Sequence, residues 1–213
     1  MAHNDIYTKF MIEYDKANVT SSYPSLTKFE TAAILNKAYL DLIAQKVTGN
    51  NARRAPFEAD IKAISDIQEL ITFEIVNMQS SHPSVENSAV YDLPSDFLYY
   101  VSGMINLSGT LNPVTLVSHE IAQKFKRSST NVPWIKNAVA YIEGGALIAL
   151  YDNYLYNPTG IKAPGQFHIT YIKEPQKFTE SFSGTFELND TMAEELISLA
   201  VLFALENVES TRL

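Results

Sequence analysis

The spacing of apolar residues changes twice along the chain, and this change constrains the fold more than any other feature of the sequence. Apolar residues recur at the spacing of an amphipathic helix from residue 27 onwards and again after residue 190. Between these stretches, residues 167–173 alternate apolar and polar side chains, as a strand with one buried face does. The pattern predicts an α+β protein in which N- and C-terminal helices form a helical bundle with an inserted antiparallel β module.

This change of spacing divides the chain into four segments. Residues 1–25 are predicted to form a partly extended N-terminal arm, because a polar stretch at residues 19–24 interrupts the roughly helical spacing of the apolar residues near its start. Residues 26–88 are expected to contain the N-terminal helices, and residues 89–178 the antiparallel β module. Residues 179–213 are expected to form a C-terminal helix that returns to the helical domain.

Capping boxes mark the predicted starts of two helices. In the first, the Thr27 hydroxyl and the Glu30 carboxylate can each bond to a backbone N–H that has no partner in the first helical turn. This helix is predicted to end at about Val47. The same pattern at Thr191 and Glu194 predicts the start of the C-terminal helix.

The middle of the chain carries signals for further elements. Pro56 suits the first position of a second helix, and the β-branched run from Ile71 to Val76 fits either the end of that helix or a strand. Gly144-Gly145 stands between two apolar runs and predicts a tight hairpin, since both positions of such a turn need positive φ angles. Short strands are also predicted at Met104–Leu107 and Val114–Val117, with a brief helix from Glu120 to Lys126.

Composition excludes several classes of function. The 213 residues include no cysteine, which excludes disulfides, thiolate zinc sites and a cysteine nucleophile. The formal net charge is −8, so a basic surface for tight nucleic-acid binding is not expected, and Arg53-Arg54 and Lys124/Lys126/Arg127 are interpreted as solvated charges. No run of eighteen apolar residues occurs, and no membrane span is expected.

No motif indicates catalysis, and no catalytic residue, metal site or cofactor is predicted. The four histidines, at positions 3, 82, 119 and 168, are scattered, and His119-Glu120 lacks the second histidine of a zinc-protease helix. The three tyrosines at positions 151, 154 and 156 leave an alternative open, because aromatic rings stack on sugars. This alternative is a carbohydrate-binding or adhesin-type β module of a virion or cell surface.

Several segments resemble the head-to-tail connector and tail tubular proteins of tailed bacteriophages. Leu93–Tyr100, which reads Leu-Pro-Ser-Asp-Phe-Leu-Tyr-Tyr, is similar to the start of that family's β module. Phe167–Pro175 resembles the strand that ends the module, and Leu188–Arg212 resembles the final helix. The helix opening at Thr27, with Asn36-Lys37-Ala38 inside it, fits the family's N-terminal helix.

The resemblance covers most of residues 26–213 and is nearest to the ring proteins of crAss-like podoviruses. It implies a structural virion protein without enzymatic activity, a subunit of a homo-oligomeric ring of about twelve copies. Such a ring lies beneath the portal at the head–tail junction, contacts the portal protein and neighbouring tail or ring proteins, and surrounds the DNA channel without sequence-specific binding. Before assembly the subunit is expected in the host cytoplasm.

Two groups of residues are candidates for this role. The polar end of the last helix is a candidate contact with the portal or an adjacent ring, because it follows a long apolar run. It comprises Glu206, Asn207, Val208, Glu209, Ser210, Thr211, Arg212 and Leu213. The second group, Leu93, Pro94, Asp96 and Phe97, is a structural motif that resembles the family's, and it is one of several segments whose order and spacing carry the resemblance.

Overall fold

A computed structural model describes residues 1–17, 25–48, 61–83, 88–107, 109–127, 138–150 and 165–210. These residues form the helices α1 (His3–Ala17), α2 (Lys28–Val47), α3 (Ile61–Ile67), α4 (His119–Arg127) and α5 (Asp190–Ser210), with a 3₁₀ turn at Gln68–Leu70. They also form the strands β1 (Ile71–Val76), β2 (Met78–Ser80), β3 (Ser88–Asp92), β4 (Phe97–Leu107), β5 (Thr110–Leu116), β6 (Ala138–Glu143), β7 (Ala146–Leu150) and β8 (Phe167–Lys173).

The chain divides into two compact units. The helical unit consists of Met1–Leu70 and Pro175–Leu213, and the sheet unit consists of Ile71–Glu174. The sheet therefore begins at residue 71, within residues 26–88, the segment that was expected to contain the N-terminal helices. Of the two interpretations of Ile71–Val76, the extended one is correct. The predicted start of a helix at Pro56 lies outside the described residues.

Helix α1 occupies most of the segment that was predicted to be a partly extended arm, and that prediction is wrong for residues 3–17. Its Ile6, Phe10 and Tyr14 are buried, and the helix packs against α5. At the first residue of α1, the backbone N–H of His3 donates to the oxygen of Gly184 at 3.1 Å. Gly184 lies in the segment that precedes α5. The helical spacing of the apolar residues was visible in the sequence, but the contacts that stabilise the helix are made by residues far apart in the sequence.

Helix α2 begins at the predicted capping box, which is confirmed. The backbone N–H of Glu30 donates to the Thr27 hydroxyl at 3.2 Å, and the Glu30 carboxylate accepts from the Thr27 N–H at 2.8 Å. Near the end of the helix, Lys46 Nζ lies 3.0 Å from a carboxylate oxygen of Asp66 and 2.9 Å from one of Glu195. This cation therefore joins α2 to α3 and to α5.

Helix α5 begins at a different cap from the predicted one. Asn189 is the capping residue, because its side-chain oxygen accepts from the backbone N–H of Met192 at 2.9 Å. Thr191, the predicted cap, lies inside the first turn. Asparagine and threonine both cap helices well, so the sequence offered two neighbouring candidates.

The eight strands form one sheet in the order β1-β8-β4-β5-β6-β7-β3-β2. Strands β5 and β6 run parallel, whereas the other pairs are antiparallel, so the sheet is mixed. The predicted fold class, a helical bundle with an inserted antiparallel β module, is therefore wrong, although helices do occur in both terminal parts. The physical reason is the β5–β6 connection, which carries α4, since parallel neighbours require a crossover of this kind.

The sheet is curled into a half-barrel, and the connection between β1 and β2 shows why. Only Asn77 separates these two strands in sequence, yet they lie at opposite ends of the strand order. One residue spans less than about 4 Å, so the two ends of the sheet must lie close together. Gln166 bonds to the Asn77 side chain at 3.2 Å, and the Tyr91 hydroxyl donates to the oxygen of Gly165 at 3.0 Å.

The concave side of the curled sheet holds the main core of the sheet unit. Buried side chains from six strands meet there, and Tyr91 of β3 lies 5.2 Å from Phe167 of β8, measured between ring centroids. On the other side, Ala122 of α4 packs among buried side chains of β6 and β7. Helix α4 therefore covers the convex side over only part of the sheet.

The imidazole of His3 is a polar group enclosed in the helical unit. It is 1% exposed, its ring centroid lies 4.2 Å from that of Phe178, and neither nitrogen has a hydrogen-bond partner among the described residues. Burial lowers the pKa of His3 below its ordinary value of 6.5, against the weaker attraction of Glu187. The folded protein therefore holds this ring in its neutral form.

The free energy of unfolding should therefore depend on pH through His3. Below pH 6.5 the unfolded chain takes up a proton on this ring before the folded chain does, so stability is lost as the pH falls. The loss contributed by His3 is at most about 1.4 kcal/mol per pH unit. Urea unfolding between pH 8 and pH 5 should show a shallower decline for His3→Phe than for the wild type. Tyr7→Phe, which leaves the imidazole in place, is the control, and identical slopes for His3→Phe and wild type would contradict the prediction.

The predicted hairpin is confirmed, and its turn provides a second test. Gly144 and Gly145 have φ angles of 61° and 81°, and a Cβ at residue 144 would meet no atom within 4 Å. The cost of Gly144→Val is therefore a backbone cost, and it should exceed ~1 kcal/mol in thermal unfolding. Gly144→Asn, which tolerates positive φ, should cost less. Equal melting temperatures for the valine variant and the wild type would contradict the strained-turn interpretation.

Candidate functional site

Helix α4 packs over β6 and β7. It leaves the convex side of β1, β8, β4 and β5 uncovered. Strand pairing aligns four side chains across this part in one row: Ile75, His168, Met104 and Pro113. Ile75 is 44% exposed and Met104 is 40% exposed. Large apolar side chains therefore reach solvent at positions where an antiparallel sheet with one solvated face usually carries polar residues.

Residues on both sides of this row extend the surface. Phe73 is 54% exposed beside Ile75, and its ring lies edge-on to His168 with centroids 5.7 Å apart. Leu111 is 43% exposed on β5. We call the whole surface the uncharged face; it comprises Phe73, Ile75, Ser102, Met104, Asn106, Leu111, Pro113, His168 and Thr170.

The chemistry of the uncharged face favours contact with another apolar surface. It contains no Asp, Glu, Lys or Arg, although the whole chain has a net charge of −8. A surface without cations cannot neutralise phosphates, and one without carboxylates or clustered imidazoles offers few metal ligands. Exposed apolar patches of this kind mark interaction sites in folded proteins.

The Leu93–Phe97 motif forms a junction between two strands. The backbone N–H of Phe97 donates to the oxygen of Pro94 at 3.0 Å, and the turn leads into β4. The hydroxyl of the buried Tyr171, on β8, donates to the Asp96 carboxylate at 2.9 Å. The Phe97 and Tyr171 rings lie 5.8 Å apart between centroids. Burial, followed by the bond to Asp96, raises the pKa of Tyr171, so its hydroxyl remains a donor.

The predicted contact segment at the end of the chain lies only partly within the described residues. Glu206 and Asn207 are exposed, and α5 continues to Ser210. The first half of the segment is therefore helical. Thr211–Leu213 lie outside the described residues.

Three of the histidines have different surroundings. His3 is in the helical unit, whereas His119 Nε2 lies 3.6 Å from Glu143 on the surface of the sheet unit and His168 lies in the uncharged face. Within the described ranges no cluster of His, Asp and Glu side chains is arranged to hold a metal ion. Over the same ranges, no helix is both long enough and apolar enough to cross a bilayer.

Of the basic clusters and the tyrosines noted in the sequence, only one cluster lies within the described residues. Lys124 pairs with Glu120 one turn away at 2.8 Å, which is a common arrangement on a solvated helix surface. The Arg53-Arg54 pair and the tyrosines at positions 151, 154 and 156 lie outside the described residues.

Sequence reasoning missed the uncharged face, although a signal for it was present. Ile71, Phe73 and Ile75 alternate with Thr72 and Glu74, which is the period of a strand. Because the run directly follows a helical pattern, the sequence left the end of a helix and a strand as alternatives for it. The other half of the face depends on strand pairing between β8, β4 and β5, which the sequence alone does not supply.

The junction at Asp96 gives a testable stability difference. Tyr171→Phe removes the hydroxyl that donates to the carboxylate and should lower the free energy of unfolding by about 1–3 kcal/mol. Tyr99→Phe is a matched control on the neighbouring strand, because the Tyr99 hydroxyl has no hydrogen bond among those found in the described residues. It should change stability by less than about 0.5 kcal/mol. Equal losses in the two variants in urea unfolding would show that the Asp96 bond contributes nothing specific.

No protein-family model matches the chain, and no curated protein matches it.

Proposed function

We propose that the chain is a structural virion protein of a tailed bacteriophage, a subunit of the head-to-tail connector ring beneath the portal. About twelve copies form the ring, which bridges capsid and tail and surrounds the DNA channel. Its partners are further copies of itself, the portal protein and neighbouring tail or ring proteins. It acts at the head–tail junction of the virion, after assembly in the host cytoplasm. This role depends on geometry and requires no catalysis.

The observation that carries this proposal is the contact between two of the segments that resemble connector proteins. Asp96 and Phe97, from the first segment, bond to and pack on Tyr171, from the second. In addition, the backbone N–H of Glu174 donates to the oxygen of Asp96 at 2.6 Å. The residues of the resemblance therefore form one local structure that joins the start of β4 to the end of β8.

Exposed apolar side chains on both units support assembly into a ring. In the helical unit, Phe29 is 65% exposed and Leu202 is 51% exposed. The sheet unit carries the uncharged face. A ring with rotational symmetry uses two different surfaces on each subunit, one for each neighbour, and the chain offers apolar groups on more than one surface.

The charge of the chain suits a passage for DNA. At a net charge of −8 per copy, a closed ring is strongly acidic. An acidic channel repels the phosphates of DNA, so the duplex can move through it without being held. The same charge argues against a DNA-binding role.

The proposal predicts a ring and a defined effect of shortening the chain. Negative-stain images of the purified protein mixed with the portal protein of the same phage should show closed rings attached to the portal. Deleting residues 207–213 should leave a folded, soluble protein, because Glu206 and Asn207 are already exposed and the end of a chain contributes little to a core. The shortened protein should not join the portal.

Circular dichroism and the melting temperature of the shortened protein serve as controls for folding. A shortened protein that still joins the portal at normal yield would remove residues 206–213 from the proposed contact. A full-length protein that neither forms rings nor binds the portal, and that is absent from the neck of purified virions, would overturn the proposed function.

A further inference from the structure

We propose that His3 is a pH-sensitive latch, which holds helix α1 on the rest of the helical unit and releases it in acid. His3 is the first residue of α1, and its side chain is buried. In the closed form the imidazole is neutral and enclosed. In the open form it is protonated and in water, and α1 is detached. This inference goes beyond the proposed function and does not depend on it.

Backbone bonds on both sides of His3 hold the start of the chain against the segment that precedes α5. The N–H of Phe186 donates to the oxygen of Met1 at 2.9 Å, and the N–H of His3 donates to the oxygen of Gly184. A Cβ at residue 184 would lie 3.1 Å from His3 Nδ1, so a glycine there lets the backbone come close to the ring. Opening this backbone pairing would expose the imidazole to water.

The immediate surroundings of the His3 ring do not suit a cation. The ring packs on Phe178, and Tyr39 of α2 packs on the same phenylalanine with ring centroids 6.2 Å apart. Neither imidazole nitrogen has a hydrogen-bond partner among the described residues. A protonated imidazole would therefore carry two N–H donors without acceptors in this enclosure, which is a costly arrangement for a buried charge.

The charged groups near the ring do not remove this cost. In the described part of the chain, the Glu187 carboxylate attracts an imidazolium and the Met1 ammonium repels it. The Glu187 carboxylate already accepts from the backbone N–H of Gln176 at 2.7 Å. The Met1 ammonium lies 3.3 Å from a carboxylate oxygen of Asp190, at the start of α5. Burial outweighs the attraction of Glu187 and lowers the pKa of His3, so acid favours a conformation with the ring in water.

Helix α1 can detach while the contacts among the other helices of the unit stay in place. Lys46 joins α2 to α3 and α5 without contacting α1. The Asn36 side chain of α2 accepts from the backbone N–H of Phe178 at 2.8 Å and donates to its oxygen at 3.0 Å. These bonds hold the segment before α5 on α2 whether or not α1 is docked. Local opening of α1 should therefore need less free energy than unfolding of the whole unit.

Amide hydrogen exchange of the full chain, followed by NMR and corrected for the intrinsic exchange rate at each pH, tests the latch. In the open form His3 takes up a proton with its ordinary pKa of 6.5. The protection of the α1 amides should therefore fall by up to about 30-fold between pH 8 and pH 5. At each pH they should be less protected than the amides in the middle of α2, because α1 opens by itself. The imidazole resonances of His3 should titrate below pH 6.5.

Two variants without a titrating group at residue 3 show whether His3 causes the fall. His3→Gln and His3→Phe should each keep the protection of α1 nearly constant between pH 8 and pH 5. His119→Gln is the matched control, because it removes an exposed imidazole from the sheet unit. Its α1 amides should lose protection as those of the wild type do. Circular dichroism establishes that each variant is folded, and either His3 variant suffices if the other fails to fold.

Three results would overturn the latch. Amides of α1 that are as strongly protected as those of α2 at every pH would show that α1 opens only when the whole unit unfolds. A loss of protection in acid that persists without His3, or that His119→Gln removes, would assign the effect to another group. A His3 ring that titrates at or above pH 6.5 in the folded wild type would show that the closed form accepts the proton. This last result decides the question even if neither His3 variant folds.

Discussion

The sheet unit depends on the single residue between β1 and β2. Because only Asn77 separates two strands at opposite ends of the strand order, the sheet has to curl until its ends are close. The curl creates a concave side, where Tyr91 and Phe167 meet with the other buried side chains of the main core. It also creates a convex side that no single helix of the size of α4 can cover. The core and the exposed apolar surface therefore have the same origin.

The position of α4 decides which part of the convex side remains open. The helix lies in the crossover between the parallel strands β5 and β6, and its buried Ala122 packs over β6 and β7. Because the helix belongs to this crossover, it packs over β6 and β7. It does not cover β1, β8, β4 and β5. A surface formed in this way has to be compatible with water or with a partner. The absence of ionised side chains from the uncharged face favours a partner.

Local signals in the sequence predicted local structure correctly. The Thr27 capping box, the Gly144-Gly145 hairpin and strand β8 all depend on residues within a few positions of one another. The signal for the last helix was ambiguous, since Asn189 and Thr191 are both good caps and the structure uses the first. Element types were therefore easier to predict than their boundaries.

Apart from the cap of α5, the errors concern contacts between distant residues. Helix α1 is stabilised by burial against α5, which is nearly 180 residues later in the chain, and β1 pairs with β8. A predicted helix between two predicted strands was an available signal for the parallel pair β5–β6, since antiparallel neighbours need no such crossover. For the candidate site, the Leu93–Phe97 motif was visible in the sequence. Of the uncharged face, only the alternation in β1 was visible, because its other members become neighbours through strand register.

The pairing of β1 with β8 also affects when the protein can fold during synthesis. Ile71 and its partner Ile172 are about 100 residues apart in the sequence. Helix α1 packs against α5, which begins only at Asp190. A chain emerges from the ribosome from its N-terminus to its C-terminus. The sheet unit therefore cannot complete its core before β8 has been made, and the helical unit cannot complete its core before α5 has been made. A chain that terminates before residue 168 lacks His168 and Thr170, and with them the middle of the uncharged face.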